Sequence, residues 1–531
     1  RDMKEYKRET GQEELQKLLN DEVNQILRAN LYEVGLSEKE LKRLRIRKRE
    51  LRDALNQCGI GDLAAKEYVK NVLEDILVKK YKYGEKEWNS IIPFENRKEL
   101  SPVDKFDILL YCYEKEYGTD AFDLFMKENH IMDRISAEYS GYVISEEMLD
   151  DIFFERAWLL SANDKKKIVI QRLYSGYRGL GVIDELRDLK IDGISGGVSG
   201  KEGQHNSVWL FYHGVMIHLA FLSFGSEREL ERVCMNIYRY GNPGQLSKAK
   251  GYIVNEMKDH SRVVVVRPPF SESFAFFVRK FGTIEKRSLE ELLPDDGKEV
   301  VIDILKWIIK GCQIAAVTGA QGSGKTTLLM GLIAYIHPSF TLRIQEMAFE
   351  LHLRDIYPDR NILSFRETDT ISGQEGLDIQ KKTDGTVNIL GEVATIEVAA
   401  YLIQMSQVGS LFTLFTHHAK TTDSLVKYMR NSLLSSGIFR DEKIAREQVV
   451  ESIRFDIHME KDINGHRYIE RISEIVPDDS EKGYELHNII IFENGKYSRV
   501  DFFSEQTVYE MKKRMTQEER KKFCEKYHLP L

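Results

Sequence analysis

The spacing of hydrophobic residues changes character along the chain. Up to about residue 150, apolar positions recur at helical spacing among many lysines and glutamates, which predicts helices joined by short connections. Two local signals mark helix starts in this region. Ser37 and Glu40 have the spacing of a capping box, and Ser101 precedes Pro102, which loses no hydrogen bond at the first helical position. The pattern therefore predicts a helical N-terminal extension.

Beyond about residue 181 the pattern becomes mixed α/β. Residues 208–212 and 215–219 are apolar runs separated by His213-Gly214, which is typical of a β-hairpin. Apolar runs at 263–266 and 274–278 predict two further strands. This region is therefore expected to form a domain of its own.

A charged segment then precedes a third pattern, in which helices alternate with apolar strands. Such alternation predicts a parallel, doubly wound sheet. From the N-terminus, the expected parts are a helical extension over 1–150, a mixed α/β domain over 151–282, a linker over 283–298, a nucleotide-binding domain over 299–478, and a strand and helix tail over 479–531.

A glycine-rich segment lies between the strand-like residues 314–317 and the helix-like residues 327–330. It fits G-x-x-x-x-G-K-[ST] and consists of Gly319, Ala320, Gln321, Gly322, Ser323, Gly324, Lys325 and Thr326. In such a P-loop, backbone N–H groups surround a phosphate chain, the lysine reaches the outer phosphates and the threonine hydroxyl binds Mg²⁺. The P-loop therefore predicts binding of a nucleoside triphosphate and Mg²⁺. ATP is expected in preference to GTP, because a guanine-specific Asn-Lys-x-Asp motif is missing from the sequence.

Two later strands end in candidate catalytic groups. Residues 387–390 form an apolar strand that leads to Glu392, where a P-loop sheet places a carboxylate that positions the attacking water. The next apolar strand ends in His417 and His418. Neighbouring side chains on a strand point to opposite faces, so one histidine packs while His418 is expected to contact the γ-phosphate.

Further motifs occur in the order found in one known family. They are Ser261-Arg262-Val263, Arg267-Pro268-Pro269, Val278-Arg279-Lys280-Phe281, the P-loop, Glu346-Met347-Ala348-Phe349-Glu350-Leu351, Gly391-Glu392-Val393, His418-Ala419 and Arg471-Ile472-Ser473-Glu474-Ile475. On these residues the chain resembles the ATPase superfamily of type II and type IV secretion systems over about residues 165–478. Within it, the chain looks most like the CpaF-like ATPases that assemble tight-adherence (Flp) pili.

The resemblance implies a fold and a set of site residues. The fold is α/β, with a RecA-like P-loop NTPase domain preceded by a mixed α/β N-terminal domain and a helical N-terminal extension. Gly319 to Thr327 are implied to bind phosphate, with Arg279 on the hinge side of the nucleotide cleft. Thr326 is implied to bind Mg²⁺ directly, and Glu350 to bind it through water. The implied catalytic residues are Glu392, Lys325, Glu350, Glu346 and His418.

The resemblance also implies partners. These are five further copies of the chain in a homohexameric ring and an inner-membrane platform protein that lifts pilin subunits. Opening of the cleft around residues 282–298 is expected to convert hydrolysis into movement, with residues 1–150 as a docking element.

Three departures from the family pattern bear on activity. Ala394 stands where the family usually has arginine, Met347 where it has aspartate, and Lys420-Thr421 where it has Asn-Ser. The first removes a positive group near the γ-phosphate or a subunit interface, so turnover is slow or a neighbouring arginine replaces it. The second weakens the assignment of Glu346 more than that of Glu350.

Composition bears on the binding partners and the cellular compartment that we expect for the chain. A net charge of −8 from 77 basic and 85 acidic residues disfavours a dedicated nucleic-acid binder. Five scattered cysteines indicate neither disulfides nor a zinc site and suit a reducing cytosol. The sequence contains neither an apolar membrane span nor a signal-peptide core, so we expect a cytoplasmic protein that contacts the inner face of the membrane only peripherally.

Several interpretations remain open at this level. The basic residues between 42 and 52 form either a solvated helix face or a docking surface for anionic lipid or an acidic partner. A type IV secretion ATPase has the same fold and chemistry as a pilus ATPase. A nucleotide-binding ring component with little hydrolysis is favoured by Ala394 and Met347, whereas a RecA-like nucleic-acid motor is disfavoured by the acidic balance.

Overall fold

The chain forms two compact units, Arg1–Gly282 and Thr283–Leu531. The structure is a computed structural model that describes residues 3–29, 35–135, 142–156, 159–200, 207–280, 286–347, 349–368, 370–408 and 410–531. Each unit has its own buried hydrophobic residues. Of the helices described, none combines the length and the apolar character that crossing a membrane requires.

The first unit begins with helices, as predicted. The helices of this unit are α1 (Met3–Arg28), α2 (Glu38–Gln57), α3 (Leu63–Asp75), α4 (Glu85–Ile91), α5 (Pro102–Tyr117), α6 (Ala121–Glu128), α7 (Ile131–Arg134), α8 (Glu146–Glu155), α9 (Ala162–Tyr177), α10 (Asp184–Asp188) and α11 (Glu227–Ile237). Both predicted helix starts are confirmed, because Ser37 and Ser101 cap α2 and α5 in reciprocal capping boxes. In the basic helix α2, Leu51 and Leu55 are buried whereas Leu44 is exposed, so its C-terminal half provides the packing face.

The rest of the first unit is a seven-stranded sheet. Its strands are β1 (Val143–Ile144), β2 (Gly193–Val198), β3 (Ser207–Tyr212), β4 (Val215–Ser223), β5 (Tyr252–Glu256), β6 (Arg262–Val266) and β7 (Ala275–Arg279), in the order β1-β4-β3-β2-β7-β6-β5. The predicted hairpin is confirmed, since Tyr212 pairs with Val215 and both residues of the turn between them have positive φ. Apart from the parallel pair β1 and β4, neighbouring strands are antiparallel.

A nine-stranded sheet forms the centre of the second unit. Its strands are β8 (Ala315–Thr318), β9 (Leu342–Glu346), β10 (Ile362–Arg366), β11 (Val387–Leu390), β12 (Phe412–His417), β13 (Phe455–Lys461), β14 (Arg467–Pro477), β15 (Tyr484–Glu493) and β16 (Lys496–Arg499), in the order β10-β9-β11-β12-β8-β13-β14-β15-β16. The predicted parallel arrangement holds from β10 across to β13. It is wrong for β14, which follows β13 after a short turn and therefore pairs with it antiparallel, as do β15 and β16 with their neighbours.

Helices cover both faces of this sheet. They are α12 (Leu289–Leu292), α13 (Lys298–Lys310), α14 (Lys325–Leu332), α15 (Leu353–Ile356), α16 (Gly373–Gln380), α17 (Ile396–Val408), α18 (Thr422–Ser435), α19 (Glu442–Ser452), α20 (Glu505–Arg514) and α21 (Gln517–Tyr527). Alternate residues of β12 belong to different cores, with Leu414 in one and Phe415 in the other. The fold class predicted from the sequence is therefore confirmed. Because β12 lies between β8 and β11, the segments after these strands meet at one edge of the sheet.

Candidate nucleotide-binding site

The P-loop connects β8 to α14, as its sequence predicts. Gly319 has φ +144°, and a Cβ placed on it would lie 2.4 Å from the backbone oxygen of Met459 and 2.6 Å from Ser323 Oγ. Gly324, directly before α14, has φ +97°. Both glycines are required, the first because the loop passes close to β13 and the second because the backbone there is left-handed.

Lys325 is buried at the start of α14, with 8% of its surface exposed. Its Nζ donates a hydrogen bond to the carbonyl oxygen of Ala320 at 2.9 Å and lies 3.5 Å from His418 Nδ1. Burial lowers the pKa of Lys325, and the negative charge of Glu392 opposes that change. In the described part of the chain, no carboxylate forms an ion pair with Lys325. Its ammonium group therefore keeps donor capacity for an anion.

His418 connects Lys325 to Glu392. Its Nε2 is hydrogen-bonded to Glu392 Oε1, while its Nδ1 faces the ammonium group of Lys325. An ammonium group can only donate and a carboxylate can only accept. The imidazole therefore accepts at Nδ1 and donates from Nε2, and the three side chains form a directed chain of hydrogen bonds.

Strand pairing fixes Glu392 and His418 in position. Gly391 N–H donates to the carbonyl oxygen of Gln345 at 2.8 Å, and Val393 N–H donates to that of Thr416 at 3.0 Å. The side chain of Thr416 also donates to the carbonyl oxygen of Gly391. These bonds tie the segment that carries Glu392 to β9 on one side and to β12 on the other, at the edge where the P-loop lies.

His417 occupies the opposite face from His418, as strand alternation predicts. It is 6% exposed, and its Nδ1 accepts a hydrogen bond from Ala419 N–H at 3.0 Å. Burial, together with the nearby His418, lowers the pKa of His417 to about 4. A neutral imidazole matches its role as an acceptor, so His417 is a packed structural residue.

Residues 346–351 contain two glutamates, and we call this segment the acidic box. Glu346 is the last residue of β9, and Glu350 follows four positions later. Glu346 is 5% exposed, and its Oε1 accepts hydrogen bonds from Glu350 N–H at 3.1 Å and Leu351 N–H at 2.9 Å. A Cβ on Gly391 would lie 3.1 Å from Glu346 Cγ, so Glu346 packs beside the segment that carries Glu392. Glu350 is half-buried. Met347 between them is 53% exposed.

The remaining predicted residues differ in exposure. Gln321 and Thr327 are exposed, Thr326 is half-buried, and Ser323 is buried with an Oγ that has no hydrogen-bond partner among the described residues. An unsatisfied buried hydroxyl in a glycine-rich loop is what a phosphate cradle presents before it is filled. Oxygen donors from a threonine and carboxylates suit Mg²⁺, so these residues fit both ATP and its metal.

Arg279 belongs to the first unit, so it is described apart from this cluster. It is the last residue of β7, and its guanidinium lies 5.0 Å from the ring centroid of Phe211. The strand pairing of β7 with β2 and β6 fixes its backbone. Its placement in the nucleotide cleft stays a prediction.

Asp456 supports the P-loop and was not predicted from the sequence. It is fully buried in β13, and it accepts hydrogen bonds from Thr318 Oγ1 at 2.5 Å, Thr422 Oγ1 at 2.7 Å and an Arg471 guanidinium nitrogen at 3.1 Å. These bonds hold the last residue of β8 against α18 and β14. The available signal was a charged residue inside an apolar strand, because such a residue is rare without a partner.

Arg467 is a second residue that the sequence did not single out. It begins β14, its side chain is exposed, and a Cβ on Gly324 would lie 3.5 Å from its Cδ. The side chain of this arginine therefore passes beside the P-loop.

Comparisons with known proteins find solved structures to which this chain is similar at low identity. No protein-family model matches the chain, and no curated protein sequence matches it. The VirB11 ATPase of the Brucella suis type IV secretion system is 16% identical and covers 54% of this chain and 89% of its own, with a TM-score of 0.30. The Legionella pneumophila ATPase DotB is 16% identical, with coverages of 56% and 80% and a TM-score of 0.39. The pilus retraction motor PilT with bound ADP is 15% identical, with coverages of 65% and 89% and a TM-score of 0.39. Similarity this low assigns no activity to this chain.

Proposed function

We propose that this chain is a Mg²⁺-dependent ATP hydrolase. The observation that carries the proposal is the hydrogen-bonded chain from Lys325 through His418 to Glu392 beside a formed P-loop. Phosphoryl transfer needs a cation on the transferred phosphate and a carboxylate that positions water. Both groups are present here, and one imidazole links them.

Each of the three side chains has a distinct part in this proposal. Lys325 gives up its hydrogen bond to the carbonyl oxygen of Ala320 and donates to phosphate oxygens instead. This exchange breaks no ion pair with a carboxylate among the described residues. Glu392 orients a water molecule and accepts its proton. His418 senses the phosphate, because its imidazole contacts both Lys325 and Glu392. The imidazole moves when the lysine binds phosphate or the glutamate binds water.

Mg²⁺ is proposed to be held by the Thr326 hydroxyl and, through water, by Glu350. When bound, the metal neutralises charge that develops on the phosphate oxygens. Glu346 is a positioning residue in this scheme, because its carboxylate holds the backbone of Glu350.

The biological setting is proposed from the ordered motif set. A ring of six copies at the cytoplasmic face of the inner membrane would power assembly of a tight-adherence-like pilus by acting on a membrane platform protein. Arg279 would reach the nucleotide from the hinge side of the cleft. A type IV secretion ATPase is the alternative within the same class, and it differs in its cargo.

A nucleotide-binding ring component with little hydrolysis is the alternative from another class. Two observations favour it. Ala394, two positions after Glu392, carries no charge. Met347, between Glu346 and Glu350, has an exposed thioether side chain instead of a carboxylate. Both changes remove groups that would act on phosphate, metal or water.

The decisive experiment is ATP hydrolysis by the full-length chain with Mg²⁺, separated by oligomer size. We expect turnover in the ring fraction and its loss in Lys325→Ala and Glu392→Gln. The matched controls are Lys427→Ala and Glu397→Gln, which make the same changes at exposed positions of the same unit. Binding of ATP without turnover in any fraction would contradict hydrolysis and support the ring-component alternative.

A further inference from the structure

A cluster of potential metal ligands, separate from the nucleotide site, lies on β13 and β14. Strand β13 pairs with β8, the strand that leads into the P-loop. The cluster consists of His458 and Glu460 on β13 and Glu470 on β14, whose ligand atoms all lie within 4.8 Å of one another. His458 Nε2 is 2.9 Å from Glu460 Oε1 and 3.8 Å from Glu470 Oε2. The imidazole is 1% exposed whereas both carboxylates are partly open to solvent, so an ion can enter from the carboxylate side.

A β-bulge brings Glu470 into this cluster. His458 pairs with Arg471 and Met459 pairs with Ile469, so β14 has one extra residue, Glu470, between the two pairs. Bulges turn a side chain out of the normal alternation and are frequent beside functional sites. Without this bulge, Glu470 would not share a face with His458.

The hydrogen bonds of His458 fix which nitrogen carries the proton. Asp456 is paired with Arg471 and can only accept, so the hydroxyl of Thr318 donates to it. Thr318 Oγ1 has no second proton, yet it lies 2.8 Å from His458 Nδ1. His458 Nδ1–H must therefore donate to Thr318. In the neutral imidazole, the Nε2 lone pair then points at two carboxylates.

A lone pair facing two negative groups is a repulsive arrangement unless a cation separates them or Nε2 takes a proton. We propose that His458, Glu460 and Glu470 bind a divalent transition metal of the Zn²⁺ class, with water in the fourth position. Zn²⁺ bonds of about 2.0–2.1 Å place tetrahedral ligands roughly 3.3–3.4 Å apart, a separation between the two distances observed here. One imidazole and two carboxylates suit Zn²⁺ better than Mg²⁺ or Ca²⁺, which prefer oxygen ligands alone.

The surroundings of His458 also match those of a metal ligand. Metal-binding histidines usually donate their other ring N–H to a carboxylate or another acceptor, which fixes the ring. Here the acceptor of the His458 Nδ1–H is the hydroxyl of Thr318, which in turn donates a hydrogen bond to Asp456. The positive charge of Arg471, whose Nε is 3.8 Å from Glu470 Oε2, competes with a metal for that carboxylate. The site should therefore bind a metal more weakly than one with the same three ligands and no competing positive charge.

Occupancy of this site is coupled to the P-loop strand. Thr318 is the last residue of β8 and directly precedes Gly319. A metal on Nε2 strengthens the Nδ1–H donor, which holds Thr318 more firmly. We expect the metal to raise the melting temperature of the second unit, through residues that are separate from those proposed to hold MgATP.

The test is titration of the nucleotide-free, full-length protein with Co²⁺ as a spectroscopic probe and with Zn²⁺. We expect one Co²⁺ per chain with the visible absorption of a tetrahedral site, displaced by Zn²⁺. Glu460→Gln and Glu470→Gln should each weaken Co²⁺ binding at least tenfold. Glu485→Gln is the matched control. Glu485 also pairs with a histidine two positions away on a strand, because its Oε2 lies 3.1 Å from His487 Nε2, but its side chain is exposed to solvent.

A second control separates this site from the nucleotide site. Glu392→Gln removes the carboxylate beside His418 and should leave Co²⁺ binding unchanged. If the wild type gives no tetrahedral Co²⁺ spectrum, or if Glu470→Gln binds Co²⁺ as tightly as the wild type, the proposal is overturned. Because nucleotide is omitted, either outcome is independent of whether the chain hydrolyses ATP.

Discussion

Two buried lysines, Lys66 in the first unit and Lys325 in the second, have different partners. In the first unit, Lys66 Nζ lies 2.6 Å from Asp184 and 2.8 Å from Asp188, and Arg172 contacts Asp104 at 2.5 Å. In the second unit, Lys325 contacts a backbone carbonyl oxygen and an imidazole. Lys66 and Lys325 are equally hidden from solvent, with 8% of each residue exposed.

This difference separates a structural charge from one that can act on a ligand. Asp184 and Asp188 outweigh the effect of burial and raise the pKa of Lys66, so its charge is neutralised within the fold. Burial lowers the pKa of Lys325 because its partners supply little compensating charge. A buried cation whose charge the fold leaves uncompensated gains most from an incoming anion. The partners of a buried charge are therefore more informative than its burial.

Replacing Lys66 should give the largest change in stability. Lys66→Met removes the cation of the buried Asp184, whereas Asp188 keeps its pair with Arg187. Breaking a buried pair costs about 3–5 kcal/mol. We expect a matching loss in the free energy of unfolding of the first unit, measured by chemical denaturation. Lys79→Met is the control, because Lys79 is 73% exposed and its pair with Asp75 should contribute less than about 1 kcal/mol. Similar losses in both variants would contradict the comparison.

Replacing Lys325 should have the reverse effect. Lys325→Met removes a desolvated charge that forms no ion pair with a carboxylate among the described residues, so the free energy of unfolding should stay constant or rise. Turnover of ATP should fall by about 10²–10³, or roughly 3–4 kcal/mol of transition-state stabilisation. Melting curves and steady-state hydrolysis of the same preparation separate the two effects. A variant that melts at lower temperature and keeps its turnover would make Lys325 a structural residue.

The sequence predicted those parts of the site that depend on neighbours along the chain. The P-loop, the carboxylate after β11 and the opposite faces of His417 and His418 all follow from local spacing. Asp456 was missed because its partner Thr318 is 138 positions away, and only the sheet order brings them together. Glu470 was missed because a bulge, which no local pattern indicated, turns it toward His458. The antiparallel β14 was missed for a related reason, since strand direction depends on the length of a connection.

Glu114 is one of the acidic residues of the first unit whose pKa is raised by burial, together with Asp107 and Glu185. The Oε1 of Glu114 is buried without a hydrogen-bond partner among the described residues. Burial raises the pKa of Glu114 to about 7, although Lys66 and Lys70 act in the opposite direction. The folded state therefore binds this proton more tightly than the unfolded state, whose pKa is near the ordinary value of 4.5.

Stability from this group should be lost as the pH rises from about 4.5 through about 7. The loss amounts to at most about 3–4 kcal/mol, because one unit of pKa corresponds to about 1.4 kcal/mol. Glu114→Gln should remove the share of this dependence that Glu114 contributes, while Glu185 and Asp107 keep theirs. The variant should therefore be more stable than the wild type at pH 8 and similar at pH 4. Glu116→Gln, at an exposed position two residues along, is the control. A wild type and Glu114→Gln with parallel pH profiles would show that Glu114 ionises without cost.

Arg467 offers the smallest and most specific test of the second unit. The resemblance found in the sequence implies an arginine at position 394, where this chain has alanine, whereas the side chain of Arg467 lies beside Gly324 of the P-loop. If Arg467 supplies the positive charge that Ala394 lacks, Arg467→Ala should lower turnover about tenfold, or roughly 1.4 kcal/mol. Arg440→Ala, which removes an exposed arginine of the same unit, should leave turnover unchanged.

The double variant distinguishes replacement of a charge from general damage to the loop. Ala394→Arg in the Arg467→Ala background should restore most of the lost turnover, because either arginine then provides the same charge. In the wild-type background Ala394→Arg should change turnover little, since one positive group is already present. A large gain from Ala394→Arg alone, with no loss from Arg467→Ala, would mean that the site lacks this charge altogether. The second unit would then bind nucleotide through Lys325 yet be poorly equipped to hydrolyse it.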